Sequence, residues 1–167
     1  ETKRLIEVKD FSGDLLLSEV HERLVTVLRM AEYLSPNYHV VVANPPYMEI
    51  SGANERLKSW AIDNYPDSSS NLFSMFMERG LSLSVPKGML GMINMQAWMF
   101  LSSFNRLREK IVSNFSILSM AHLGEKAFDS IGGEVVSTTS FVIRNHCMPS
   151  YKGEYLRLVS GKSEAEK

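Results

Sequence analysis

The sequence predicts an α/β fold, and three observations carry that prediction. Apolar runs of strand length alternate with stretches of helical periodicity, the runs are rich in β-branched residues, and turn residues separate the two. Such an order implies a parallel-type sheet with helices covering both faces. A length of 167 residues and a hydrophobic content of 44% suit one globular domain.

Leu15 to Leu34 reads as a helix, because apolar residues at 17, 20, 24, 27, 28 and 31 follow the 3.6-residue period. Ser35-Pro36-Asn37 ends it, since the residue before a proline is pushed out of the helical region. Tyr38 to Ala43 is a nearly continuous β-branched run, the pattern of a strand buried on both faces. Residues 48 to 70 are polar and irregular and read as a long loop, with one or two helical turns around Glu55 to Ile62. Asn71 to Ser84 returns to helical spacing through Leu72, Phe73, Phe76, Leu81 and Leu83, and stops at the turn Pro86-Lys87-Gly88. Met89 to Met95 is a buried strand. Ser102 and Ser103 offer caps for a helix from Phe104 to Val112. Phe115 to Leu123 is a third strand. After a loop from Gly124 to Gly133, Val135 to Arg144 alternates and predicts one or two more.

Composition narrows the function classes. A net charge of -1 gives no global basic field for nucleic acid, though a local site is compatible with it. The single cysteine, Cys147, cannot form an internal disulfide and suits a reducing compartment. His21, His39, His122 and His146 lack metal-ligand spacing, so no zinc or other metal is expected. The apolar stretches are strand-sized, far short of a membrane span. Glu1-Thr2-Lys3-Arg4 has neither an initiator methionine nor a signal-peptide pattern, and the end at 160–164 is polar. A piece of a longer protein is the expectation.

The most informative residues are Asn44-Pro45-Pro46-Tyr47, directly after Val40-Val41-Val42-Ala43. In α/β sheets ligands sit outside the carboxyl ends of the strands, which is where this tetrapeptide falls. It presents an amide oxygen, a proline carbonyl and an aromatic face, the groups that hold a planar base or amide by its NH2. Successive prolines also fix φ and remove competing N–H donors. Two other readings exist. The four residues could be a turn without chemistry. They also match the Asn-Pro-x-Tyr peptide signal read by strand addition, although such signals sit in disordered tails.

From Tyr38 to Val159 the chain resembles the core of γ-type adenine DNA methyltransferases, and more narrowly the adenine-specific methyltransferases of BREX phage-defence systems, the PglX type. Beyond the tetrapeptide, the resemblance rests on Tyr65-Pro66-Asp67-Ser68-Ser69-Ser70-Asn71-Leu72-Phe73, on residues 76–81, on Gln96-Ala97-Trp98-Met99-Phe100-Leu101-Ser102-Ser103-Phe104, and on residues 107–110. Leu123-Gly124-Glu125-Lys126-Ala127-Phe128 and residues 131–142 point to the PglX type. The resemblance implies a Rossmann-like methyltransferase core and an enzyme that moves a methyl group from S-adenosylmethionine to adenine N6 of double-stranded DNA in the bacterial cytoplasm. Other defence proteins are implied as partners. Asn44 and Pro45 would accept from the amino group, Pro46 would stiffen the loop, and Tyr47 would stack on a flipped base.

Phe128 falls where related enzymes carry an aromatic on the base's other face, and a core aromatic is the competing role. Phe73 reads as inward packing at a helix start. Arg106, Arg108 and Lys110 suit either phosphate contacts or a solvated helix face. Gly132-Gly133 suits a mobile target-site loop or a hairpin turn. Methylation of protein glutamine or RNA, and a non-catalytic DNA-binding subunit of the same fold, stand as alternatives.

One departure shapes the expected domain plan. The family's glycine-rich donor-binding turn lies upstream of the tetrapeptide, yet Gly13 is the one glycine before Asn44. The chain is therefore expected to hold the C-terminal part of a seven-stranded mixed sheet without the donor-binding half, so donor-binding residues are not assigned. Residues 1–37 would be a helical lead-in, 38–150 the catalytic core segment, and 151–167 the start of a linker or next domain. Such a piece should expose an apolar sheet edge, associate readily, and bind S-adenosylmethionine negligibly by calorimetry.

Overall fold

The computed structural model describes residues 15–125, 127, 136–161 and 163–166. The chain divides into two units, Glu1–Asn37 and Tyr38–Lys167. In the first, α1 (Leu15–Leu34) is the helix its periodicity predicts. Arg23 donates to Glu19 one turn earlier at 2.6 Å, and Leu17, Val20, Leu24 and Val27 along it are exposed.

The second unit is built on β1 (Tyr38–Ala43), β2 (Ser84–Met95), β3 (Ser116–Gly124), β4 (Thr138–Arg144) and β5 (Glu154–Arg157). Their order across the sheet is β1-β2-β4-β3-β5. β1 runs parallel to β2 and β3 to β5, but β4 is antiparallel to both its neighbours. The sheet is thus mixed, where alternation alone suggested parallel. In the sequence, the stretch between β3 and β4 lacks the helical period of the crossover that parallel pairing of successive strands calls for.

The helices of this unit are α2 (Glu55–Asn64), α3 (Leu72–Leu83), α4 (Ala97–Phe100) and α5 (Asn105–Asn114). α2 exceeds the turn or two expected of it. Asn54 Oδ1 caps it by accepting from Leu57 N–H at 2.9 Å. Its Ala61 is buried with Ile50 and Met75, which ties the segment after β1 to α3.

One face of the sheet carries the main core. Phe73, Met77 and Leu81 of α3 and Leu107 and Ile111 of α5 pack with Leu90 and Met92 of β2 and Phe141 and Ile143 of β4. The register sets Leu90 opposite Ile143 and Met92 opposite Phe141, so alternate residues of both strands meet the same helices. Each such burial contributes roughly 1.5–3 kcal/mol. The other face is more open, contrary to the two-sided burial read from β1's composition. Tyr38, Val40 and Val42 are exposed, Val42 at 77%. A β-branched run satisfies either arrangement, since composition does not report what covers each side of a pleat.

β1 is also one of the two edge strands of the sheet among the described residues, β5 being the other. Val42→Lys should therefore reduce self-association of the 167-residue polypeptide while changing its unfolding free energy by no more than about 0.5 kcal/mol. Sedimentation velocity reads the first and urea titration the second. Undiminished high-mass species would remove the edge from the explanation.

β2 runs straight through Pro86-Lys87-Gly88, where composition predicts a turn. Lys87 takes a left-handed φ of 66°, and the β1–β2 register slips between Tyr38 and Val40. A Cβ on Gly88 would lie 2.9 Å from the Val85 carbonyl oxygen and 3.1 Å from that of His39. Asn145 holds the irregular stretch: Lys87 N–H donates to its carbonyl, its own N–H donates to Gly88, and its side chain donates to Ser84, at 2.8, 2.8 and 2.9 Å. Residues 154–157 form β5, which pairs in parallel with β3.

Lys110 and Glu78 join α5 to α3 by an ion pair, with Asp67 3.7 Å from the ammonium and Ser68 Oγ donating to Glu78 at 2.5 Å. The Glu78 hydrogen bond raises the Lys110 pKa above its usual value against the opposing pull of desolvation. A raised lysine pKa stabilises the fold fully below the unfolded value and is lost as pH climbs through the folded one. Lys110 is part-exposed, so Lys110→Met should cost about 1 kcal/mol or less near neutral pH. That difference should vanish above the raised pKa. Urea titrations at both pH values check it, and a penalty independent of pH would assign the loss to packing instead.

Candidate active site

β1 and β2 are parallel neighbours with Ala43 opposite Met92, so the segments leaving their carboxyl ends emerge at the same edge of the sheet. From β1 come Asn44 to Tyr47, and from β2 come Gln96 to Leu101. Asn44 is exposed, Pro45 buried, Pro46 exposed and Tyr47 partly buried. No hydrogen bond to a described residue engages the Asn44 amide, which leaves its oxygen available as an acceptor.

Tyr47 lines a cleft of about 820 Å³ with Glu49, Asn71, Gln96, Phe100 and Val136. An adjoining hollow of about 450 Å³ shares Glu49, Asn71, Met95, Ala97 and Leu101 with it. Asn44, Pro45 and Pro46 are not among the lining residues of either hollow. The tetrapeptide thus contributes its aromatic ring to the cleft, and its acceptor groups belong to the loop that delivers that ring. The Tyr47 ring meets Phe73 edge-on, with centroids 6.2 Å apart and planes at 84°. Burial pushes its phenol pKa up, so the ring stays neutral through the physiological range.

Asn71 holds the loop in place. It is 7% exposed, and its Oδ1 accepts from Met48 N–H at 3.2 Å as well as from Phe73 N–H at 3.3 Å, where it caps α3. Leu72 N–H donates back to the Met48 carbonyl at 2.9 Å, and Ile50 N–H to that of Ser70 at 3.0 Å. The residue after Tyr47 is therefore pinned to the start of the helix whose Phe73 supports the tyrosine ring. Phe73 itself is fully buried against Phe104, the inward packing expected of it.

Across the cleft, Gln96 N–H donates to the Ser137 carbonyl at 2.9 Å. Its side-chain oxygen accepts from His122 Nε2 of β3, and the His122 ring lies against Phe100 with centroids 5.7 Å apart. Arg108 does not reach outward. Its guanidinium donates to the carbonyls of Trp98 and Leu101, both at 2.7 Å, and fixes the turn that carries Phe100. Together with the Lys110–Glu78 pair, this commits two of the three basic residues considered for phosphate to internal contacts. Phe128, Gly132 and Gly133 lie outside the described residues.

Asn71 and Gln96 of the cleft, and His122 bonded to Gln96 behind it, make contacts that the sequence does not announce. Asn71 signalled a helix start, but nothing local announces its hold on Met48. Gln96, just past the end of β2, and His122 of β3 are brought together by sheet order. Among the described residues, no group of three or more His, Cys, Asp or Glu side chains could hold a metal ion, and no helix is long and apolar enough to cross a membrane.

Residues 6–128 match the Eco57I restriction-modification methylase family. Over 155 residues the chain is 44% identical to the adenine-specific methyltransferase BrxX of Escherichia coli O9:H4 (strain HS), covering 93% of this chain and 13% of that protein. Over 144 residues it is 43% identical to the adenine-specific methyltransferase PglX of Lacticaseibacillus casei (strain Zhang), covering 86% and 12%. The chain thus spans about an eighth of the length of these relatives. A Listeria monocytogenes crystal structure assigned to the class I S-adenosylmethionine-dependent methyltransferases superposes with a TM-score of 0.56 at 20% identity, over 75% of this chain and 38% of that one. This last likeness bears on the fold alone.

Proposed function

This chain belongs to the Eco57I restriction-modification methylase family, and from that membership we propose that it forms the base-binding part of an enzyme methylating adenine N6 in double-stranded DNA. The methyl donor is S-adenosylmethionine, the setting is the bacterial cytoplasm, and the role is phage defence of the BREX type, alongside other defence proteins. The observation that carries the proposal is the placement of Asn44 to Tyr47 at the sheet's carboxyl edge, with Tyr47 in the wall of a cleft of about 820 Å³. Relatives named as adenine-specific favour this substrate over protein glutamine or RNA.

The residues present suit the acceptor side of the reaction and not the donor side. Among the lining residues of the two hollows Glu49 is the one acidic group, and among the described residues no glycine-rich turn leads into a helix. What the chain's own residues do is orient the nucleophile. The adenine amino lone pair is delocalised into the ring, so the nitrogen attacks only when its two N–H bonds are drawn aside by acceptors. Asn44 Oδ1 and the Pro45 carbonyl are those acceptors. The Tyr47 ring stacks on the extruded base, worth roughly 1–3 kcal/mol. Catalysis comes mainly from positioning, with no covalent intermediate on the protein.

The test is methyl incorporation into duplex DNA by an enzyme of the relatives' full length carrying this segment, followed by nucleoside analysis. N6-methyladenine is the expected product. Label found only in protein glutamine or in RNA would overturn the proposal.

A further inference from the structure

We propose that Gln96 contacts the substrate, its side-chain NH2 donating to an unprotonated ring nitrogen beside the amino group of the bound adenine. This rests on the adenine-methylation reading and adds a donor to the two acceptors assigned there.

The geometry leaves Gln96 little choice. Its backbone is tied to the β4 lead-in by the 2.9 Å bond to Ser137. Its side-chain oxygen is taken by His122 Nε2. The imidazole is carried on β3 and lies against Phe100. A primary amide has an acceptor on one side and two donors on the other, so fixing the oxygen aims the NH2 away from His122. That NH2 has no partner among the described residues and is not a buried unsatisfied group. It belongs to a residue lining the same cleft as Tyr47.

The chemistry of the base calls for such a donor. On adenine, the amino group needs acceptors, whereas N1 and N7 on either side of it need donors. The atoms that Asn44 and Pro45 turn to the amino group, an amide oxygen and a backbone carbonyl, are acceptors and serve no ring nitrogen. A ring nitrogen brought into the cleft without a donor would lose its water and gain nothing in return. Guanine presents an oxo group in place of the amine and an N1–H in place of a lone pair, so acceptors plus a donor together reject it. A site that hydrogen-bonds its substrate discriminates strongly, because a mismatched base leaves its polar groups unpaired. His122 is then a positioning residue acting through the amide.

The experiment combines enzyme variants with base analogues, in a full-length enzyme carrying this segment. Gln96→Glu keeps the shape and an oxygen toward His122 but removes both N–H donors. It and Gln96→Ala should each lower kcat/KM on adenine duplex by about 10- to 100-fold. With the unsubstituted enzyme, either 1-deazaadenine or 7-deazaadenine at the target should cause a similar loss, which identifies the ring nitrogen. Gln96→Ala should be indifferent to that same replacement, a result that a merely structural role would not produce. Thermal melts check folding, and if Gln96→Ala fails to fold, the near-isosteric Gln96→Glu carries the same comparison. The proposal is overturned if Gln96→Glu matches the unsubstituted enzyme, or if the variants lose as much as that enzyme on both analogues. Those outcomes leave adenine methylation standing. Failure of the unsubstituted enzyme to methylate natural duplex would instead bring down both.

Discussion

Replacing Asn44 by alanine, in a full-length enzyme carrying this segment, should lower kcat for adenine methylation by about 10²–10³-fold while barely changing duplex affinity. That is the scale on which removing one preorganised hydrogen-bond partner of a reacting group acts. Asn44 is exposed at the end of β1 with its amide uncommitted to any described residue, so truncation opens no core cavity. Its cost should appear in chemistry and not in folding. Asn44→Asp sharpens the point, because the carboxylate keeps an acceptor oxygen at the same reach and loses only the amide donors. It should recover most of what alanine loses. Single-turnover methyl transfer measures both variants against a gel-shift titration of DNA. A loss confined to DNA affinity, or aspartate as inactive as alanine, would remove Asn44 from the role of acceptor.

How far the site could be read from the residues depends on how local its determinants are. The run Val40 to Ala43 and the tetrapeptide after it announce a strand and its carboxyl end within eight residues, and both are where expected. α1 and α3 were equally legible, because their apolar spacing survives whatever they pack against. The irregular half of β2 was not. Pro86, Lys87 and Gly88 carry a turn's composition, and it takes Asn145, some sixty residues later, to hold them in the sheet. β5 gave no signal either, since all four of its residues are exposed and its pairing with β3 rests on backbone bonds that composition does not encode. The cleft divides along the same line. Tyr47 was readable from its own tetrapeptide, whereas the Gln96–His122 contact exists only once β4 has been inserted between β2 and β3.

Phe73 joins stability to function, and its replacement should have the largest effect on the fold. It is 0% exposed, with its ring 5.5 Å from that of Phe104 and edge-on to Tyr47. Phe73→Ala removes the atoms that touch both and leaves a cavity at the start of α3, costing about 3–5 kcal/mol. That is a large share of the stability of a domain this size, so the variant should unfold at markedly lower urea or fail to accumulate. Phe73→Leu separates the two roles. It refills much of the volume, so stability should recover by more than half, but it offers no flat ring edge behind Tyr47. The tyrosine should then hold the base less well, raising KM for duplex more than the residual loss of stability explains. If leucine restored KM as fully as it restores the fold, Phe73 would be core and nothing more, and Tyr47 would owe its placement to Asn71 and the Met48 bond alone.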